Sequence, residues 1–205
     1  MNWTAMALLG LDYGLVMSLP FLFFEKRDRR RRAMWWVTAA PFIVLPGLMA
    51  LGGLGAVPAV IAPDAAVGVA LSIASVGPSA LSIGLVAAAL ATHNRPLPQW
   101  HQGRDRPRRL VTSGPYARVR HPFYLAYLLM FLAAAMIAPS PVVLAALVYA
   151  AVALGCTAAR EERRLSASDL GGSYRAYMAR TGRFLPRVRR LAAATARGDG
   201  RNPAE

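Results

Sequence analysis

The sequence predicts an all-α, polytopic membrane protein with about five transmembrane helices, its N-terminus outside and its C-terminus in the cytosol. Three observations carry that prediction. Apolar residues make up 56% of the chain, above the roughly 45–50% of soluble domains, and charged residues only 17%, below the usual quarter or so. The apolar residues are gathered into runs, several of them close to the roughly 17–25 residues a helix needs to cross a bilayer. Every Lys and Arg falls in three blocks between or after those runs.

The first run covers 3–24 and contains one acid, Asp12. An acid inside a span is a functional candidate by default. Its place towards the outer end of the run favours a hydrated or hydrogen-bonded Asp. The block Glu25-Lys26-Arg27-Asp28-Arg29-Arg30-Arg31-Arg32 ends this run. A second run, 33–52, opens with Trp35 and Trp36, as an aromatic belt would, and carries Pro41 and Pro46, which should kink it. Residues 53–64 are rich in Gly and Pro and read as a loop. The third run, 65–91, should bend at Gly77-Pro78. A polar, basic, proline-containing stretch fills 92–121. The fourth and fifth runs, 122–138 and 141–159, flank Pro139-Ser140-Pro141 and so form a hairpin. Residues 161–186 read as a cytosolic segment with a helical part.

Charge fixes the expected topology. Segments 25–32, 92–121 and 160–205 hold six, seven and eleven Lys/Arg, which is all 24, while 1–2, 53–64 and 139–141 hold none. Five spans put the three basic segments on one side, and the positive-inside rule makes that side the cytosol. Four spans would split them. The net charge of +14 is therefore topology charge rather than a nucleic-acid footprint. The organisation that follows is N-terminal transmembrane helices over 1–91, a core of helical hairpin plus cytosolic segments over 92–190, and a tail over 191–205. The N-terminus lacks the basic start of a cleavable signal. The single cysteine, Cys156, lies in an apolar run and reads as a packed thiol.

Two clusters offer chemistry. The first is Ser113-Gly114-Pro115-Tyr116-Ala117-Arg118-Val119-Arg120-His121-Pro122-Phe123-Tyr124. The second is Arg160-Glu161-Glu162-Arg163-Arg164-Leu165, followed by Tyr174, Tyr177 and Arg183-Phe184-Leu185-Pro186. His121 stands 19 residues before Ser140 and Glu161 stands 21 after it. At about 1.5 Å per residue the two heights differ by only about 3 Å, so the clusters should face each other at the membrane surface. Two carboxylates, an imidazole, guanidinium groups and tyrosines at that boundary suit a small charged cofactor and an apolar substrate. No metal is expected, because His93, His101 and His121 match no common ligand spacing. No phosphate-binding glycine loop or nucleophile elbow is present.

Gly114-Pro115-Tyr116…Arg120-His121-Pro122-x-Tyr124, with Glu161-Glu162 after a helical hairpin, resembles the isoprenylcysteine carboxyl methyltransferase and phospholipid methyltransferase superfamily. Tyr174…Tyr177…Arg183-Phe184…Pro186 is similar to its isoprenylcysteine-type members. The resemblance covers about residues 108–187. It implies S-adenosylmethionine as methyl donor, held between the two clusters. It also implies Tyr116, Arg120, His121, Pro122, Tyr124, Glu161 and Glu162 as cofactor-binding residues. Arg183 and Glu162 are the candidates for catalysis, as substrate orienter and base.

The expected activity is methyl transfer to a lipophilic acceptor at the cytosolic face of the cell (inner) membrane, of the isoprenylcysteine carboxyl O-methylating kind. A carboxylate acceptor is already ionised at neutral pH and needs only a cation such as Arg183 or Arg118 to orient it. An amine, as in a phospholipid N-methyltransferase, would need a base such as Glu162 or His121. An NADPH-dependent membrane reductase of the sterol-reductase type and a non-catalytic accessory protein are the rivals from other classes. The expected partners are the bilayer and a lipophilic or lipidated acceptor, with no nucleic acid.

Overall fold

The computed structural model describes residues 2–22, 40–45, 47, 65–93 and 110–187. The basic block 25–32, most of the second apolar run, the loop 53–64, His101 and the tail 191–205 lie outside the described residues.

Every described element is helical. α1 is Trp3–Leu22, α2 Ala65–Ala74, α3 Val76–Ala91, α4 Pro122–Ile137, α5 Pro141–Ser166 and α6 Gly171–Arg180. Residues 40–45 are helical as well. Among the described residues there is no strand, only one isolated parallel bridge between Val119 and Gly182.

The local sequence explains where these helices start and stop. The third apolar run breaks at Ser75, two residues before the expected Gly77-Pro78 bend. Proline has no N–H, and its ring collides with the carbonyl four residues earlier. For Pro78 that carbonyl belongs to Ala74, the last residue of α2. Both hairpin helices begin with proline, where the missing N–H costs nothing. Ser140 caps α5 by accepting from the Val143 N–H at 3.3 Å.

Ala66–Ala91 and Pro141–Ser166 are long and apolar enough to cross a membrane; Trp3–Leu19 and Pro122–Ile137 are apolar and shorter. α5 is apolar through Ala159 and polar from Arg160. At about 1.5 Å per residue its 26 residues exceed a hydrocarbon core of about 30 Å, so the polar last two turns extend past the apolar span.

α3 packs along α4, α4 along α5, and α1 against both α3 and α4. The seams combine large and small residues. Leu9, Val16, Phe42, Leu45, Met130 and Phe131 interlock beside Ala133, Ala134 and Ala150. Small residues let helix backbones approach closely, which is what packing in lipid requires. Phe42 meets Tyr127 and Phe131 edge-on, with centroids 5.1 and 5.0 Å apart. Tyr127 packs against both apolar clusters, the second being Leu19, Val86, Leu90 and Ala126. Ile73, Leu81, Val148 and Val152 point outward. Leu and Val turned outward on helices of this composition form a surface suited to acyl chains.

Asp12 does not face water. It is fully buried, and its Oδ1 lies 2.8 Å from the Oγ of Ser82 on α3. Of the two states expected from sequence, hydrated or hydrogen-bonded, the structure has the hydrogen-bonded one, because α1 packs this face against α3 and α4 rather than exposing it.

Candidate functional site

The site begins with a tight chain reversal. Gly114 opens a single 3₁₀ turn, Gly114–Ala117, with φ +57°. A side chain there would be strained by the backbone and would also collide with the Thr92 methyl group, so only glycine lets this turn sit on the end of α3. The Tyr116 hydroxyl then reaches His93 Nε2 at 2.9 Å, just past α3.

Next, two segments run side by side. The Arg120 N–H donates to the Gly182 carbonyl at 2.9 Å and the His121 N–H to the Arg183 carbonyl at 3.2 Å. The Gly182 N–H donates back to the Arg118 carbonyl at 3.3 Å. Gly182 allows this because the chain curls so sharply that a Cβ there would overlap the Leu185 carbonyl. The Arg120 guanidinium also donates to the carbonyls of Met178 and Thr181. From α6, Tyr177 donates its hydroxyl to the Tyr116 carbonyl at 2.7 Å. Tyr174, fully buried on the same face, packs beside it with ring centroids 5.9 Å apart.

The hairpin then brings Glu161 and Glu162 to this strip. Glu162 is met by two arginines. Arg120 Nε donates to Oε1 at 2.9 Å, while Arg183 donates to Oε1 from Nε at 3.1 Å and to Oε2 from Nη2 at 2.6 Å. Burial pushes the Glu162 pKa up. His121, Arg183 and Arg120 outweigh burial and hold the carboxyl well below the usual carboxylate range. Glu161 has softer company. It accepts from the Tyr124 hydroxyl at 2.8 Å and lies 3.4 Å from His121 Nδ1. Here burial prevails over His121, Tyr124 and Arg164, so its pKa is raised.

His121 sits between the two carboxylates. Its side chain does not cap α4. The ring stacks parallel on Tyr124 at 5.3 Å, with the Phe184 ring at 6.1 Å. Nε2 stands 3.3 Å from Glu162 Oε1 yet off the line of a hydrogen bond, and it is buried without a partner.

Arg120, His121, Tyr124, Glu161, Glu162 and Arg183 therefore form one contiguous cluster, and Pro122 starts the helix that carries Tyr124. Tyr116 lies at the edge, joined through Tyr177 and His93. Arg118 contributes through its backbone carbonyl. Sequence reasoning put Tyr174 and Tyr177 in the second cluster without giving either a role in the site, and weighed His93 only as a metal ligand. The three-residue spacing of the two tyrosines, which puts them on one helix face, was the available signal.

Residues 67–168 match the phospholipid methyltransferase family. That match takes in 102 of the 205 residues, just under half of the chain. The family's superfamily is the one that the Gly114–Tyr124 and Glu161-Glu162 motifs resemble, and the family fits a membrane protein. The methyltransferase match contains every residue of the cluster except Arg183, which follows it. Over 113 residues the chain is 34% identical to the cobalt-zinc-cadmium resistance protein CzcN of Cupriavidus metallidurans. That alignment takes in 55% of this chain and 52% of CzcN, so the chain spans about half the length of the curated relative it matches.

Proposed function

We propose that the chain is an S-adenosylmethionine-dependent methyltransferase acting on a lipophilic acceptor at the cytosolic surface of the cell (inner) membrane. The observation that carries this is the Arg120–His121–Glu161–Glu162–Arg183 cluster at the polar end of an apolar hairpin. In this reading five spans, with the N-terminus outside, put that end in the cytosol, as the one-sided Lys and Arg require.

The donor set fits the cofactor. Its ammonium and ribose hydroxyls are hydrogen-bond donors, and Glu161 has acceptor capacity left beyond Tyr124. Its carboxylate suits a guanidinium, the group that the cofactor-binding candidate Arg120 brings to the cluster. The partnerless His121 Nε2 is a buried polar atom with room in its bonding for a ligand. Tyr124, stacked on His121, offers an aromatic face of the kind that attracts a sulfonium. When bound, the cofactor supplies an activated methyl group. The chain's own task is then positioning and exclusion of water.

For the acceptor we favour a carboxylate of the isoprenylcysteine kind, oriented by Arg183. A second reading, an amine of the phospholipid kind, has one observation in its favour. Glu161 accepts from the Tyr124 hydroxyl rather than from the two arginines that hold Glu162, and burial raises its pKa, so it is better suited to take a proton than Glu162. The metal-resistance name of the relative is not carried to this chain.

Purified protein in detergent should gain thermal stability with S-adenosylmethionine or S-adenosylhomocysteine and not with NADPH. A shift with NADPH alone supports the reductase reading. Label transferred from the methyl donor to a prenylcysteine analogue should be released by alkali as methanol, as from an ester. Alkali-stable label on an aminophospholipid would instead establish the amine reading.

A further inference from the structure

α1 carries an acid into a place where, among the described residues packed around it, no cation meets it. Asp12 is fully buried. Ser82 Oγ stands 2.8 Å from Asp12 Oδ1 and 2.9 Å from the carbonyl oxygen of Ala126 on α4. No Lys, Arg or His occurs in the sequence of α1, α3 or α4, nor in 40–45, the other segment packed beside α1. An ionised carboxylate here would be buried and unpaired, which is the costliest state for such a group.

The two contacts of Ser82 carry a proton count. A serine hydroxyl has one hydrogen to donate. Were Asp12 ionised, Ser82 would face two acceptors with a single hydrogen, and one contact would set oxygen lone pairs against each other. With the proton on Asp12 Oδ1, Asp12 donates to Ser82, Ser82 donates to Ala126, and both short contacts become hydrogen bonds. The other oxygen, Oδ2, has no partner. A neutral carbonyl oxygen bears that far better than half of a carboxylate does.

We propose that Asp12 is carried as a neutral carboxylic acid and acts as a positioning residue. Through Ser82 and Ala126 it clasps α1 and α3 onto α4, the helix whose first turn holds Tyr124. The three elements meet at a junction otherwise made of Leu19, Val86, Leu90 and Ala126, which interlock without direction. The clasp adds a register that such packing lacks. It does not depend on the methyl-transfer reading, and its tests use no methyl donor.

The first test is infrared spectroscopy of the full-length protein in detergent at neutral pH. The difference spectrum between wild type and Asp12→Asn should contain the carbonyl stretch of a protonated carboxyl, shifted in heavy water. A carboxylate band in its place overturns the proposal. The second test is thermal unfolding at about pH 4, where the unfolded chain also keeps much of the acid's proton and removing the acid brings little gain from that source. Asn retains an N–H donor at the same position, so Asp12→Asn should melt close to wild type. Asp12→Ala and Ser82→Ala should each melt lower, by about 3 °C, and the double variant should melt no lower than the worse single. Asp12→Asn as damaging as Asp12→Ala would overturn the proposal. So would a sodium-dependent rise in the wild-type melting temperature that is lost in Asp12→Asn, because both require an ionised acid.

Discussion

Glu162 and Asp12 are both buried carboxyl groups, and the chain accommodates them by opposite means. Glu162, on the polar last turns of α5, keeps its charge and is met by Arg120 and Arg183. Asp12, between apolar helices, is met by a serine hydroxyl and keeps its proton. Burial is nearly the same, at 6% and 0% exposure, so burial does not decide the outcome. What the neighbouring segments can supply decides it: guanidiniums from the strip 118–121 and the closing segment 181–187, none from α1, α3 or α4. The hairpin end is thus an electrostatic assembly, whereas the N-terminal junction rests on packing and neutral hydrogen bonds. Changes of charge should act on the first and leave the second alone.

The largest expected effect is at Glu162. Glu162→Ala leaves Arg120, only 11% exposed, with its Nε unpaired, while Arg183, 41% exposed, can turn to water. Removing one partner of a buried ion pair costs about 3–5 kcal/mol, and the exposed Arg183 arm puts this case at about 3. Thermal or denaturant unfolding in detergent would measure it. Arg120→Gln should cost more than Arg183→Gln. Equal costs would mean that the cluster does not distinguish a buried arm from an exposed one. Asp12→Ala should cost less than Glu162→Ala, and the reverse order would break the contrast between the two regions.

The asymmetry also marks what could be read in advance. Hairpin arithmetic brought His121 to Glu161, because helical rise is regular and the chain reverses at a short turn between Ile137 and Pro141. The all-helical character followed from composition, and a match to the phospholipid methyltransferase family over 67–168 agrees with the motif resemblance. Rotation about the helix axis was harder to read. Nothing in 3–24 says which neighbour Asp12 will face, and its burial against Ser82 depends on how α1 and α3 pack. The break at Ser75 needed only the reach of Pro78 back to Ala74. The split roles of the adjacent glutamates were also hidden, since one residue's difference along α5 turns Glu162 to the arginines and Glu161 to Tyr124.

A smaller effect should appear on acidification. The pKa of Glu162 is depressed in the folded protein. Its stabilisation is therefore complete above the ordinary glutamate value of about 4.3 and is lost as pH falls below it. The pKa of Glu161 is raised, so stability falls as pH rises through its folded value, and acidification towards about 4.3 relieves a burial cost. Melting temperature should hold or rise slightly on going down to that point and then drop. Glu162→Gln should abolish the drop. A neutral Asp12 holds a proton in the folded protein that the unfolded chain releases above about 3.9, so wild type should gain stability on acidification towards that value, and Asp12→Asn should lose this gain. An acid profile that Asp12→Asn leaves unmoved would show that Asp12 is ionised alike in the folded and unfolded chain, and would undo the comparison.

The smallest effect tests whether the two regions are independent. Tyr177→Phe removes one hydroxyl, buried at 3% residue exposure, that donates to the Tyr116 carbonyl and ties α6 to the 3₁₀ turn. A neutral hydrogen bond of this kind contributes about 1 kcal/mol, so global melting should fall only slightly. Amide hydrogen exchange would read the change more sharply. The N–H groups of Arg120, His121 and Gly182, which zip the two site segments together, should exchange faster once α6 is loosened. Those of α1 and α3 around Asp12 and Ser82 should not change, because no hydrogen bond of the site strip reaches them. If they loosen by the same factor, the clasp and the charged cluster open as one cooperative unit.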